Sequence, residues 1–325
     1  MEVALRRLRA LFCVGSAMLS LAATGGCSKR TLPTEPVGVF AGYMMGLFPS
    51  YRFVQAWGGS GSGNGQFERP QGLAVDAGGN VYVVDTANRR IQKFTDDGRY
   101  LMQWGSAGTA DGQFGYMNSV AVDASGNVYV ADAENSRIQK FNSDGTFLTK
   151  WGTLGYGDGQ FNDDDLAVTV DAAGNVYVAD TGHSRIQKFT TDGTYVTQWG
   201  TAGFGAGKLF WPRGVAVDSR GDVYVADGAH SIQKFNSAGV YLKGWAMRDA
   251  LHGSSEHVAV DPEGNVYATD RYTRCIKKFT SDGFLIGRWE VGSWSWTPAL
   301  AAGANGAVYV TDTENNRVEK FAPSR

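Results

Sequence analysis

A closed ring of six four-stranded antiparallel sheets, an all-β propeller, is the fold that this 325-residue sequence predicts. Three observations point to it. One pattern recurs six times with small variations: Gly-Asn-Val-Tyr-Val-x-Asp, then Arg-Ile-Gln-Lys-Phe, a short turn and a Trp. Its tyrosines are Tyr82, Tyr129, Tyr177, Tyr224, Tyr267 and Tyr309, at successive spacings of 47, 48, 47, 43 and 42 residues. Self-similarity at that period marks solenoids, arrays and propellers. Each unit also reads as four short strands, and the two ends of the repeat region complement each other.

The second unit shows how the strands arise. Ser119–Asp123 is a short β-rich run, Ala124–Asn127 a tight turn, and Val128–Asp132 alternates like a half-buried strand. A loop leads to Arg137–Phe141, a turn at Asn142–Gly145 follows, and Thr146–Trp151 completes the set. Four-stranded sheets repeated radially make a propeller and leave only short, protected edges. The innermost strands carry small residues at mid-length (Ala74, Ala121, Thr169, Ala216, Ala259 and Ala301), as a wedge crowded at an axis requires. The outermost strands end in Trp104, Trp151, Trp199, Trp245 and Trp289, which read as packing between blades.

Counting strands predicts the closure. The last unit stops at Phe321 without an outermost strand, whereas Tyr51–Gly58 is an outermost strand without a blade. Pairing the two closes the ring at six and removes an exposed edge.

These residues resemble the NHL repeat family. Gly65–Asp76, with Asp85-Thr86-Ala87-Asn88 and Arg90-Ile91-Gln92, fits its pattern throughout, as does Asp312–Arg317. The resemblance covers about residues 51–321 and implies the propeller fold. Departures fall late: the fourth unit loses a residue and its Arg at Ala229-His230-Ser231, and the fifth carries Cys275 in place of the Arg.

The first residues read as a targeting segment. Arg6, Arg7 and Arg9 precede a short apolar run, Ala10–Ala23, too short to span a bilayer. Leu21–Cys27 resembles a bacterial lipobox, with Thr24 where that motif usually has Leu. The expectation is a signal peptide over 1–26, lipid attachment at Cys27, a tether over 27–50 and the propeller over 51–325. Ser28 implies outer-membrane or periplasm-facing placement in the cell envelope, and ordinary secretion is the alternative.

Composition bounds the partners. Forty-four Gly and a 43% hydrophobic content suit a turn-rich globular fold. A net charge of −2 argues against a nucleic-acid surface, which needs clustered Lys and Arg. Removing 1–26 takes away three Arg and one Glu, so the mature chain is near −4. With Cys27 lipidated, Cys275 has no disulfide partner.

Two connections of each unit are long, and both emerge on one face. The recurrent Asp and Arg (Asp85 and Arg90, for example) read as structural ion pairs, because a catalytic set is rarely copied into every blade. Informative positions are those that break the repeat. Before the innermost strands stand Gln71, Asn118, Leu166, Arg213, Glu256 and Pro298, a varied, partly polar rim. Trp211, His257, Arg271 and Tyr272 add aromatic and ionisable groups, and Tyr116, Tyr156 and Phe204 lie on the same face. The expected function is a monomeric binding scaffold for a protein, peptide or glycan, with no nucleic acid. The alternative is a metal-assisted lyase or hydrolase at the channel mouth. A resemblance to the NHL-propeller lyase that completes peptide α-amidation would imply zinc held by His. Only His183, His230, His252 and His257 are present, and they do not fall at three equivalent rim positions. Ca²⁺ at Asp163-Asp164-Asp165 is the other ion considered, so no cofactor is expected beyond a possible Zn²⁺ or Ca²⁺.

Overall fold

A computed structural model describes residues 50–162, 164–229, 231–247, 255–270, 273–291 and 298–324. It contains six four-stranded antiparallel sheets. Blade 1 comprises Pro70–Val75, Val81–Asp85, Arg90–Phe94 and Tyr100–Trp104, from axis to rim. Blades 2 to 5 repeat this order over 117–151, 166–199, 214–246 and 255–290. Blade 6 joins Leu300–Ala302, Val308–Asp312 and Arg317–Pro323 to Tyr51–Gly58 as its outermost strand. Each innermost strand touches those of both neighbouring blades, and 300–302 touches 70–75, so the ring is closed.

Burial follows position in the blade. The second strands are buried along their whole length, because neighbouring blades cover both faces. Six apolar clusters therefore lie between blades rather than in one centre. In one of them Tyr82, Val84 and Ile91 of blade 1 meet Phe114, Val128, Val130 and Phe141 of blade 2. Burying each such large side chain is worth roughly 2–3 kcal/mol. The outermost strands alternate between partly buried and exposed residues.

The recurrent polar residues are structural, as their sixfold repetition implies. Arg90, Arg137 and Arg185 pair with buried Asp85, Asp132 and Asp180 at 2.7–2.8 Å, and Arg317 with Asp312 at 2.9 Å. Each of the first three guanidiniums also donates to carbonyls of the long loop before its blade. Arg137, for example, reaches the oxygens of Thr109, Ala110 and Gln113. The pair thus staples a loop that has little regular structure of its own. Tyr82 donates to Asp76 at 3.1 Å, and the Lys93 ammonium sits 4.8 Å from the centre of its ring.

The tryptophans pack one blade against the next. Gly145, in the turn between the third and fourth strands of blade 2, has φ +80, and a Cβ there would lie 2.8 Å from the Trp104 indole of blade 1. Blade 6 has no such turn, since its last two strands are the two ends of the domain. Trp289 of blade 5 instead stacks on Tyr51 at 4.1 Å and 12°. The Tyr51 hydroxyl lies 2.9 Å from that of Tyr267 and donates to the Gly306 carbonyl at 3.2 Å. Strand 51–58 runs antiparallel to 317–323, from Tyr51 opposite Pro323 to Gly58 opposite Arg317.

Candidate functional site

The six innermost strands enclose an axial cavity of about 230 Å³, walled by small residues such as Ala74, Ala121, Ala216 and Ala259 and by valines. Polar groups gather at one end. The innermost strands begin there, so this end carries the long loops: the connections from outermost to next innermost strand, and those between second and third strands. A second cavity of about 170 Å³ sits in that mouth, lined by Arg69, Gln71, Tyr116, Asn118, Asp165, Arg213, His257 and Thr313. Asn118 and His257 line both cavities, so they stand where the chamber opens into the channel.

The chamber is charged on two sides. Arg213 Nη1 donates to Glu256 Oε2 at 2.8 Å across the boundary between blades 4 and 5, with Glu256 nearly buried. Burial pushes the Asp165 carboxyl above the usual carboxylate range, with the Arg213 charge opposing it and Asp164 and Glu256 reinforcing it. Burial likewise raises the Tyr116 phenol, and the Asp165 charge adds to the effect. That phenol donates to Gln71 Oε1 in a short contact. Desolvation lowers the His257 imidazole to about 4, the Glu256 carboxylate and Arg213 acting in opposite directions upon it. At neutral pH His257 is therefore an uncharged ring able to donate and accept.

Asn118 differs from its neighbours. It is only 8% exposed, yet its Oδ1 has no hydrogen-bond partner among the described residues. Leaving a buried polar atom unpaired costs about 1–3 kcal/mol. Such a group at the wall of a polar chamber is available to a guest.

The structure thus brings together Gln71, Asn118, Arg213 and His257, with Glu256 behind Arg213. Trp211 stands apart. Its φ is +52, it is 44% exposed, and it does not line the chamber. The rim residue of blade 3 is also corrected. Leu166 is fully buried in the cluster between blades 2 and 3, and Asp165 faces the chamber in its place. The innermost strands of blades 1, 2 and 5 have a register irregularity at this point, whereas Leu166 pairs regularly with Asp180. The single spacing of 48 signals the extra loop residue that shifts this position. Arg69 and Thr313 are chamber residues that pattern reading misses. Arg69 occupies the non-repeating position before Pro70 that corresponds to Trp211 before Pro212, which is the signal that marks it. Cys27, His230, His252, Asp163, Arg271 and Tyr272 lie outside the described residues. His183 is not at the rim: its Nδ1 lies 2.9 Å from buried Asp180 Oδ2, a turn contact. Among the described residues no three His, Cys, Asp or Glu side chains converge as a metal set.

Comparison with known proteins assigns the repeat. The NHL repeat model matches residues 67–94, 114–141, 166–189 and 211–235. This chain carries NHL repeats. The four matched segments run from the long loop before each of blades 1 to 4, or from its innermost strand, to the end of its third strand. Over 47 residues the chain is 43% identical to Protein lin-41 of Caenorhabditis elegans, 14% of this chain and 4% of that protein's length. Virginiamycin B lyase from Staphylococcus aureus superposes with a TM-score of 0.59 at 13% identity, covering 85% of this chain and all of that one. A gluconolactonase from Xanthomonas campestris gives 0.58 at 16% identity, covering 80% and 88%. A chain of the nidogen/laminin complex gives 0.52 at 18%, covering 68% and 80%. Identities this low establish the shared propeller and nothing of its chemistry.

Proposed function

We propose that this NHL propeller is a binding scaffold in the cell envelope, exported, anchored through lipid on Cys27, and recognising a polar group of a protein, peptide or glycan at its chamber. The observation that carries the reading is the unpartnered, buried Asn118 carboxamide oxygen in a chamber built from residues that break the sixfold pattern. Arg213, held by Glu256 behind it, offers a donor, Tyr116 and Gln71 a hydrogen-bonded pair, and His257 a neutral ring. Tyr156, Phe204 and Trp211 stand exposed on long loops of the same face. A chain of the nidogen/laminin complex shares the fold and is seen together with a protein partner.

The test compares wild type with Asn118→Leu and Arg213→Ala on peptide and glycan arrays, with melting temperatures measured in parallel. Asn118→Leu is expected to lower binding at least tenfold while leaving the melting temperature level or higher, because it removes an unpaired buried polar atom. Unchanged binding in both variants would sink the chamber as the recognition site. Mass spectrometry of the protein from membranes is expected to find acyl chains on Cys27, and an unmodified Cys27 would refute the anchor.

A further inference from the structure

The sixfold repeat makes one missing side chain visible. In blades 1, 2 and 3 the residue opposite the buried Asp of the second strand is Arg90, Arg137 or Arg185. In blade 4 the residue opposite Asp227 is Ser231. A second loss lies beside it. Gln103 and Gln198, which accept from the Arg guanidiniums of blades 1 and 3 at 2.7 and 2.6 Å, correspond to Gly244 in blade 4. The result is a cavity of about 230 Å³ whose walls include Gly205, Ser231, Gln233, Tyr241, Gly244 and Trp245.

The receptor for the absent group is still built. In blade 3, Arg185 Nη2 donates to the carbonyls of Gly157 and Gln160. Their counterparts, Gly205 and Lys208, keep the same secondary contacts. The Lys208 N–H donates to Gly205 O as Gln160 N–H does to Gly157 O, and Gln233 Nε2 donates to Lys208 O as Gln187 Nε2 does to Gln160 O. Gly207 N–H donates to Gln233 Oε1, as Gly159 N–H does to Gln187 Oε1. The two loops differ at Gly205, whose φ is +105. Behind Gln233 lies the Asp227 carboxylate, receiving N–H groups of Phe210 and Ala229 on one oxygen and Gln233 on the other. The Tyr241 ring, on the same side of the sheet as Gln233 and Phe235, forms a wall suited to a planar cation, whereas the Trp245 ring packs on Phe279 of blade 5.

We infer that blade 4 holds a binding site for a guanidinium group supplied from outside the chain, as a free alkylguanidinium compound or as an arginine side chain of a peptide. One terminal nitrogen would give its two N–H groups to the carbonyls of Gly205 and Lys208, as Nη2 of Arg185 does to Gly157 and Gln160, while a second nitrogen of the same plane faces Asp227 as Nε of Arg185 faces Asp180. An ammonium lacks that planar fork. Exposed Phe204, stacked on Phe210 at 4.9 Å, belongs to the same loop and forms an apolar shelf that a peptide would cover and a free ion would not. The site is separate from the axial chamber and does not depend on its role.

The experiment is thermal unfolding of the protein with 20 mM ethylguanidinium, against 20 mM ethylammonium and sodium chloride as matched controls, with amide chemical shifts followed by NMR. Ethylguanidinium is expected to raise the melting temperature by about 2 °C above both controls and to shift the amides of Gly205, Gly207 and Ser231. Ser231→Arg is expected to raise the melting temperature by itself and to abolish the response. Gly244→Leu, which fills the cavity from a residue of ordinary backbone conformation, keeps the test decisive should the arginine variant not fold; it too should abolish the response. Equal effects of ethylammonium and ethylguanidinium would overturn the inference, as would a response that survives in the filled variants. With acetyl-Phe-Arg-amide as the probe, binding more than tenfold tighter than that of ethylguanidinium identifies a peptide arginine, and equal binding identifies small guanidinium compounds.

Discussion

His257 shows what one residue at the channel mouth does to the whole protein's response to acid. Desolvation holds its imidazole at about 4, against 6.5 for the exposed ring. Below pH 6.5 the unfolded chain takes up a proton that the folded state refuses until about pH 4, so stability present above 6.5 is lost across that window. The full shift corresponds to an upper bound of roughly 3 kcal/mol. Melting temperatures of wild type and His257→Asn, compared from pH 7.5 to 4.5, should diverge by several degrees as acid is added, the variant losing less. Parallel curves would refute the desolvated imidazole. The sequence makes His257 a candidate but conceals this property, because the burial that lowers its imidazole exists only once the blades close around the channel mouth. Trp211 is the converse. Its aromatic character is plain in the sequence, whereas its place outside the chamber is not, since Arg69, at the same repeat position and with the same left-handed backbone, lines the chamber.

Elements carry the repeat's substitutions as pairs. Blade 5 lacks the arginine, since Cys275 stands opposite Asp270, but two residues further on Lys277 replaces the usual Gln. Its ammonium lies 2.9 Å from Asp270 Oδ2 and donates to the Met247 carbonyl at 2.5 Å. Burial alone would raise Asp270; the hydrogen bonds and charge supplied by Lys277 and Thr273 outweigh it and hold the carboxyl low. The cation has moved along the strand rather than vanished. Lys277→Gln should therefore cost on the order of 3 kcal/mol, read as a melting temperature lower by roughly 6–12 °C. The double variant Cys275→Arg with Lys277→Gln should recover most of it, and additive losses would show that the two positions are independent. This exchange is readable in the sequence once the repeats are aligned. The cavity of blade 4 is not, because it depends on Gly244 lying across the sheet from Gln233. Leu166 and Asp165 exchange roles for a similar reason: one extra loop residue and a regular register reverse which side chain faces the axis.

At the scale of the molecule, the ring and its closure were legible from the count of strands alone, since an unpaired outermost strand and an incomplete last blade leave one solution. Deleting Tyr51–Gly58 removes the hydrogen-bonded edge of blade 6 and the ring stacked on Trp289. A chain beginning at residue 59 should melt at least 10 °C lower or associate into dimers through the bared edge, as light scattering would reveal. A monomer of unchanged stability would show the closing strand to be dispensable.

The place where that strand enters has a mechanical consequence. Gly58 leads into the loop beside the chamber, so Tyr51 lies at the other end of the strand, next to the short turn at Gly306. A load applied between a guest in the chamber and residue 50 would run along the strand, not across it. Its hydrogen bonds to 317–323 would then be stressed together in shear instead of parting one after another. Held in this way, the propeller would resist detachment at the one seam where its ring is not covalently continuous.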